Sequence, residues 1–115
     1  WDAPYAWPDV GSLDWVVSTL TLHHIEDTAA FLRACAAALA PGGRAALVDL
    51  DREDGSFHRE PGAAAHLGFD RRELERLCLR AGFREGRTST AHEFSRPDRE
   101  GRRREYSLFM LEAAA

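Results

Sequence analysis

Histidine and carboxylate side chains occur together in two polar segments, and such side chains can move protons or hold a metal ion. The first segment runs from Ser18 to Ile25 and contains the neighbours His23 and His24. The second segment, residues 49–66, contains Asp49, Asp51, Asp54 and His58. Because imidazole titrates near neutral pH, a histidine in either segment can act as a general base.

A metal-dependent hydrolase is one interpretation of these side chains, because imidazole and carboxylate are suitable ligands for Zn²⁺ or Mn²⁺. The candidate ligands would be His23, His24, Asp49, Asp51 and His58. Their spacing matches no metal motif, such as two histidines one helical turn apart. We therefore predict no metal site and keep the hydrolase as an alternative. A simpler alternative is that the histidines cap a helix and that residues 51–55 form a solvated acidic turn.

Both polar segments adjoin a predicted strand–helix–strand unit: the first lies between its first strand and its helix, and the second follows its second strand. Leu13 to Ser18 is short, apolar and β-branched, which is typical of a strand buried on both faces. Asp27 is predicted to cap the following helix, because its carboxylate can accept free N–H groups of the first turn. The apolar face of that helix would consist of Phe31, Leu32, Cys35 and Leu39. Pro41-Gly42-Gly43 should end it, and a second strand should follow over residues 44–50.

Both polar segments follow the carboxyl end of a predicted strand. The two strands should be parallel, with a right-handed crossover between them. Ligands bind outside the carboxyl ends of strands in open α/β sheets. We therefore expect Ser18, His23, His24, Asp49 and His58 to lie around one cleft.

The second half of the chain is predicted to form one helix and an antiparallel hairpin. The helix, Phe69 to Phe83, should begin at the capping residue Asp70 and end at Gly82. The hairpin strands would be Thr88–Phe94 and Tyr106–Leu111, joined by a charged turn. The fold class is α/β, with two parallel strands, the hairpin in the same sheet, and helices on its faces in three layers.

Composition and charge exclude several classes of protein. A chain of 115 residues is one domain at most, residues 1–115. The net charge of −4 gives no reason to expect nucleic-acid binding. No segment approaches the roughly 20 apolar residues of a membrane span. Two isolated cysteines, Cys35 and Cys78, suggest buried thiols in a reducing cytoplasm, which is the expected location.

The order and spacing of several runs resemble the second half of class I S-adenosylmethionine-dependent methyltransferases. The pattern Ser18-x-x-x-x-His23-His24-Ile25, then a helix, then Leu39-Ala40-Pro41-Gly42-Gly43-Arg44 carries the resemblance. A lead-in from Trp7 to Asp14 and the runs 49–58 and 66–70 extend it over nearly the whole chain. The most similar members are small-molecule methyltransferases of the ubiquinone and menaquinone biosynthesis type.

The resemblance implies methyl transfer from S-adenosylmethionine to a small-molecule acceptor and a sheet order of first strand, second strand, last strand, then Thr88–Phe94. His24 or His58 would serve as base where the acceptor must lose a proton. The residues expected to contact the cofactor are Asp2, Ala3, Ser18 and His23. Asp49 and Asp54, after the second strand, are candidates for acceptor binding. Asp2 and Ala3 have a frayed terminus as their alternative interpretation.

The resemblance lacks one half of the family pattern. The Gly-rich cofactor loop and the acidic residue that binds the ribose have no counterpart in these residues. We therefore expect the chain to be the C-terminal portion of a methyltransferase domain and to be inactive by itself. Leu13–Ser18 would then be an edge strand, prone to self-association and marginal stability. A non-catalytic binding domain is a further alternative.

Overall fold

The structure is a computed structural model that describes residues 11–53, 57 and 66–115. Its elements in chain order are β1 (Leu13–Thr19), a one-turn 3-10 helix (Leu22–His24), α1 (Thr28–Ala38), β2 (Leu39–Leu50), α2 (Arg71–Ala81), β3 (Glu85–Pro97) and β4 (Arg103–Ala114). No helix in this part of the chain is long and apolar enough to cross a membrane.

The four strands form one sheet in the order β1-β2-β4-β3. β1 runs parallel to β2, and β4 is antiparallel to both β2 and β3. The predicted α/β class and the predicted strand order are therefore confirmed. β3 and β4 are each longer than predicted, and a bulge between Thr90 and His92 interrupts their ladder.

Local signals place the starts of both helices. The Asp27 carboxylate accepts a hydrogen bond from the Ala30 N–H at 2.9 Å. The Asp70 carboxylate accepts one from the Glu73 N–H at 3.0 Å. Gly82 follows α2 with a φ of 113°, a conformation that L side chains rarely adopt. The predicted caps are therefore confirmed.

The end of α1 differs from the prediction. The helix stops at Ala38, and Leu39 is already extended as the first residue of β2. Pro41 and Gly42 belong to the strand because it starts before them. A Cβ on Gly43 would lie 2.9 Å from the Leu13 carbonyl oxygen, so glycine allows the two strands to approach there. Leu39 is still buried in the core, from the strand instead of the helix.

Both helices pack on the same face of the sheet. The core cluster joins Phe31, Leu32 and Cys35 of α1 and Leu74 and Cys78 of α2 to Val16, Ala45, Leu47, Phe109 and Leu111 of the sheet. Each helix connects parallel strands that progress in the same direction across the sheet, and right-handed crossovers then place both on one side. The described part of the chain thus has two layers where we expected three.

Each helix of this layer carries one cysteine, Cys35 on α1 and Cys78 on α2. Cys35 and Cys78 are free and buried, as predicted. Burial raises the pKa of each thiol to about 12, with a further contribution from the Cys78 thiol for Cys35 and from Glu75 for Cys78. Both thiols therefore stay protonated at neutral pH and act as small apolar side chains.

Replacing Phe109, which has no exposed surface, tests the core. We expect Phe109→Ala to lower the free energy of unfolding by about 3–5 kcal/mol, because it removes buried apolar area and leaves a cavity. Leu79→Ala is the matched control, because Leu79 is 54% exposed and should change stability by less than about 0.5 kcal/mol. Urea unfolding followed by circular dichroism measures both, and equal losses would contradict the core assignment.

Candidate functional site

The candidate site is the carboxyl edge of the sheet, which we define as residues 18–24, at the end of β1 and directly after it, and residues 49–51, at the end of β2. Leu20 has a φ of 55° and is the one non-glycine residue with positive φ among those described. Such a conformation costs about 1–3 kcal/mol and persists where surrounding contacts hold it. The Leu20 N–H donates to the Val48 carbonyl at 2.8 Å, and the Thr21 hydroxyl donates to the Thr19 carbonyl at 3.2 Å.

A buried His–Asp pair fixes the carboxyl edge. His23 Nδ1 lies 2.7 Å from Asp49 Oδ1, and the His23 backbone N–H donates to Asp49 Oδ2 at 3.0 Å. The Leu50 backbone N–H also donates to Asp49 Oδ1, at 2.7 Å. His23 is 3% exposed and Asp49 is 0% exposed. Because an ionised Asp49 can only accept, the hydrogen in the short His23–Asp49 contact belongs to His23 Nδ1.

This pair changes how two of the predicted roles would work. Asp49 was expected to bind the acceptor, but both of its carboxylate oxygens accept hydrogen bonds from the chain itself. His23 was expected to contact the cofactor, and its ring is buried. Any contribution of these two residues to ligand binding would therefore act through the loop that they hold. Their assigned roles remain predictions.

His24 and Ser18 occupy more accessible positions at the same edge. His24 is exposed, and its ring centroid lies 4.1 Å from that of His23 with a tilt of 46°. Ser18 is half-buried in β1, opposite Leu47 of β2. The structure thus brings together Ser18, His23, His24 and Asp49, whereas the predicted site residues Asp2, Ala3, Asp54 and His58 lie outside the described residues.

Asp51, the last residue of the carboxyl edge, makes a separate set of contacts with α2 and β4. Its carboxylate accepts two hydrogen bonds from Arg71 of α2, at 2.6 and 2.7 Å, and one from the Ser107 hydroxyl of β4. Burial alone would raise the pKa of Asp51, but the hydrogen bonds from Arg71 and Ser107 outweigh it and lower that pKa. Asp51 therefore ties the end of β2 to α2 and β4.

The metal-hydrolase alternative finds no support in this arrangement. The carboxylate oxygens of Asp49 and Asp51 already accept hydrogen bonds from His23 and Arg71, respectively. Residues 11–53, 57 and 66–115 contain no group of three His, Cys, Asp or Glu side chains placed to hold a metal ion. No observation favours a hydrolase over the other interpretations.

His66 is a site residue that sequence reasoning missed. Its backbone N–H donates to the His23 carbonyl at 3.0 Å, and its Nε2 lies 2.9 Å from the Ile25 carbonyl. The Thr28 hydroxyl at the start of α1 lies 3.2 Å from the same nitrogen. Since a carbonyl can only accept, Nε2 carries a hydrogen here. The sequence signals were its place at the end of the polar segment 49–66 and in a run that resembled the family, but its partners lie about 40 positions away in the chain.

Removing the charge of Asp49 tests the buried pair. In Asp49→Asn, an amide NH₂ group replaces one of the two carboxylate oxygens. In either orientation of the amide, a donor then faces either the His23 backbone N–H or the His23 ring. We expect the free energy of unfolding to fall by about 1–3 kcal/mol, the cost of unpaired buried polar groups. Asp14→Asn is the matched control at an exposed position of β1 and should be nearly neutral. Urea unfolding measures both variants, and an Asp49→Asn protein as stable as wild type would refute the pair.

The lowered pKa of Asp51 predicts a pH dependence of stability. A carboxyl group with a depressed folded pKa stabilises the fold fully above its unfolded pKa of about 3.9, and this stabilisation is lost as pH falls through the folded value. The stability difference between wild type and Asp51→Asn should therefore be constant from neutral pH to about pH 5 and shrink below about pH 4. Urea unfolding at several pH values measures this difference. In an Arg71→Gln background the same difference should be smaller and less dependent on pH, and an unchanged difference there would contradict the ion pair.

Both the sequence and the fold of this chain are similar to those of known proteins. A family model described as a methyltransferase domain matches residues 2–85. No curated protein sequence matches the chain. Several solved structures share the fold at low identity, so they inform about architecture alone.

Phosphoethanolamine N-methyltransferase 2 of Haemonchus contortus, solved with S-adenosyl-L-methionine, superimposes with a TM-score of 0.66 at 14% identity over 92% of this chain and 34% of that one. A SAM-dependent methyltransferase of Thermotoga maritima gives 0.68 at 16% identity over 96% and 60%. The cyclase SpnF gives 0.60 at 10% identity over 96% and 52%. The chain thus spans about a third to three fifths of these proteins.

The family model, unlike the structural likenesses, compares the sequence itself. It covers well over half of the chain, including the whole strand–helix–strand unit, the carboxyl edge and α2. On that basis the chain belongs to the methyltransferase-domain family.

Proposed function

We propose that these residues form the acceptor-side part of an S-adenosylmethionine-dependent methyltransferase that acts on a small molecule. The observation that carries this proposal is the loop after β1, which the His23–Asp49 pair holds at the carboxyl edge of the sheet. That edge is where open α/β sheets bind ligands. Membership of the methyltransferase-domain family supports the reaction class.

S-adenosylmethionine is the proposed methyl donor. The Haemonchus contortus enzyme of the same fold was solved with this molecule. At the carboxyl edge of this chain, Ser18 offers a half-buried hydroxyl and Leu20 an apolar side chain that is 39% exposed. One polar and one apolar contact suit a ligand that combines hydroxyl groups with an aromatic base. The residues present therefore fit one side of the donor, while the sequence holds no G-x-G-x-G turn for the other side.

The proposed role of the chain is mainly positioning. The donor when bound supplies an activated methyl group on a sulfonium, so the protein needs to align donor and acceptor and to exclude water. The loop of residues 20–24, which the His23–Asp49 pair holds in place, provides the rigidity that alignment of donor and acceptor needs. His24 is the exposed last residue of this loop and is our candidate for the base that removes a proton from the acceptor. His58 remains the second candidate for that role.

Several finer assignments are proposals that rest on the sequence resemblance. The acceptor class would be that of the ubiquinone and menaquinone biosynthesis type. The chain would be the C-terminal portion of a methyltransferase domain, working in the cytoplasm. A non-catalytic binding domain is the competing class. The cyclase SpnF, which is itself named for a catalytic activity, illustrates only that this fold also occurs in proteins described by an activity other than methyl transfer.

A residue-resolved titration tests the donor assignment. We expect S-adenosylhomocysteine, added to the isotopically labelled 115-residue chain, to shift the backbone NMR signals of residues 18–24. Ser18→Ala should weaken this binding about five-fold, which corresponds to one hydrogen bond worth about 1 kcal/mol. Ser89→Ala, an exposed serine of β3, is the matched control and should bind like wild type. Signals of residues 18–24 that stay unchanged at saturating ligand, or that shift equally with adenine alone, would refute the assignment.

A further inference from the structure

The β3–β4 hairpin extends beyond the carboxyl edge of the sheet. Leu50 is the last residue of β2 and pairs with Leu108 of β4. Past that point, residues 103–106 of β4 pair with residues 94–97 of β3. At about 3.4 Å per residue, the hairpin ends roughly 15 Å beyond β2. Residues 96–104, which we call the hairpin tip, therefore lie at the same end of the sheet as the candidate site.

Asp98 holds the turn of the hairpin tip together. It is 8% exposed, and its carboxylate accepts hydrogen bonds from the backbone N–H groups of Glu100 and Arg102, both at 2.9 Å. The carboxylate also accepts one from Arg104 Nε at 3.0 Å. In the backbone, the Asp98 N–H donates to the Arg102 carbonyl at 2.7 Å, and the Gly101 N–H donates to the Asp98 carbonyl at 3.0 Å. These contacts hold the tip in a defined conformation.

The Arg96 guanidinium, at the start of the hairpin tip, is also held in place. Its Cζ lies 3.8 Å from the centre of the Phe57 ring, and its Nη2 donates to the Phe57 carbonyl at 2.6 Å. Phe57 in turn packs edge-on against Tyr106 of β4, with ring centroids 5.1 Å apart. A guanidinium has five N–H donors, and this hydrogen bond uses one of them. Arg96 therefore presents further donors from a fixed position.

The hairpin tip carries an excess of positive charge. It contains five arginines and two carboxylates, in a chain whose net charge is −4. One of those carboxylates, Asp98, is buried and already ion-paired with Arg104, so it does not balance the other arginines. The arginines of the tip that are exposed and have no ion-pair partner among the described residues are Arg99, Arg102 and Arg103. Such an excess of charge attracts anions to this end of the sheet.

A cavity at the hairpin tip has a volume of about 600 Å³ and is lined by Phe57, Arg96, Pro97, Asp98, Arg99 and Gly101. We propose that this cavity binds an oxyanion, the phosphate or carboxylate group of a small molecule, through the guanidinium groups of Arg96 and Arg99. A planar guanidinium suits both groups, because it can donate two parallel hydrogen bonds to them. A side chain that is ordered before binding loses less conformational entropy on binding, and Arg96 is ordered already.

Inorganic phosphate and acetate, each added to the isotopically labelled 115-residue chain, test the site. At constant ionic strength we expect one or both to shift the backbone NMR signals of residues 96–104, whereas chloride should not. Arg99→Gln should weaken this binding about ten-fold, because it removes a charged hydrogen-bond donor. Arg80→Gln removes the same charge from an exposed position of α2 and should bind like wild type. Circular dichroism establishes that each variant is folded.

Arg99→Lys separates a positioned site from general attraction by positive charge. Lysine keeps the charge but has no planar fork, so binding to a positioned site should weaken by about three-fold or more. A stronger response to phosphate than to acetate would identify a phosphate-bearing ligand, and the reverse would identify a carboxylate. The proposal is overturned if neither anion shifts residues 96–104, if Arg99→Gln or Arg99→Lys binds like wild type, or if Arg80→Gln weakens binding as much as Arg99→Gln.

Discussion

The buried pair of His23 and Asp49 is the interaction on which the carboxyl edge depends. A carboxylate with no exposed surface is costly unless hydrogen bonds compensate its lost hydration. Asp49 accepts from the His23 ring, the His23 backbone and the Leu50 backbone, and these donors come from both sides of the β1–β2 seam. These contacts hold His23 against the end of β2, and the polypeptide reaches that position through the left-handed Leu20.

Two further contacts extend this constraint through the fold. The His66 backbone N–H donates to the His23 carbonyl, and His66 Nε2 lies within hydrogen-bond distance of the Ile25 carbonyl and the Thr28 hydroxyl. The segment before α2 is thereby attached to the start of α1. Asp51 joins the end of β2 to Arg71 of α2 and Ser107 of β4. The carboxyl edge is therefore held by contacts from α2 in the helical layer and from β4 in the sheet. Such rigidity suits the proposed methyl transfer, because holding two reactants in their reactive geometry lowers the barrier to reaction.

The two edges of the sheet show how unevenly the described part of this fold is closed. β3 ends the sheet with charges, a bulge and a proline, as a solvent-exposed edge should. β1 ends it with exposed Trp15 and Val17 next to the candidate site. A strand that paired with β1 would lie beside Ser18 and Leu20, and it would therefore adjoin the candidate site.

The sequence by itself determined the features that depend on near neighbours in the chain: the caps at Asp27 and Asp70, the glycine at position 82, and apolar periodicity that identified both helices. Strand order followed from the family resemblance and not from residue patterns. Only the tertiary structure decided that His23 is buried while His24 is exposed, that Asp51 belongs to Arg71, and that His66 joins the site. Those outcomes could not be predicted locally, because each depends on the free energy of burying a polar group beside a partner 20 or more positions away.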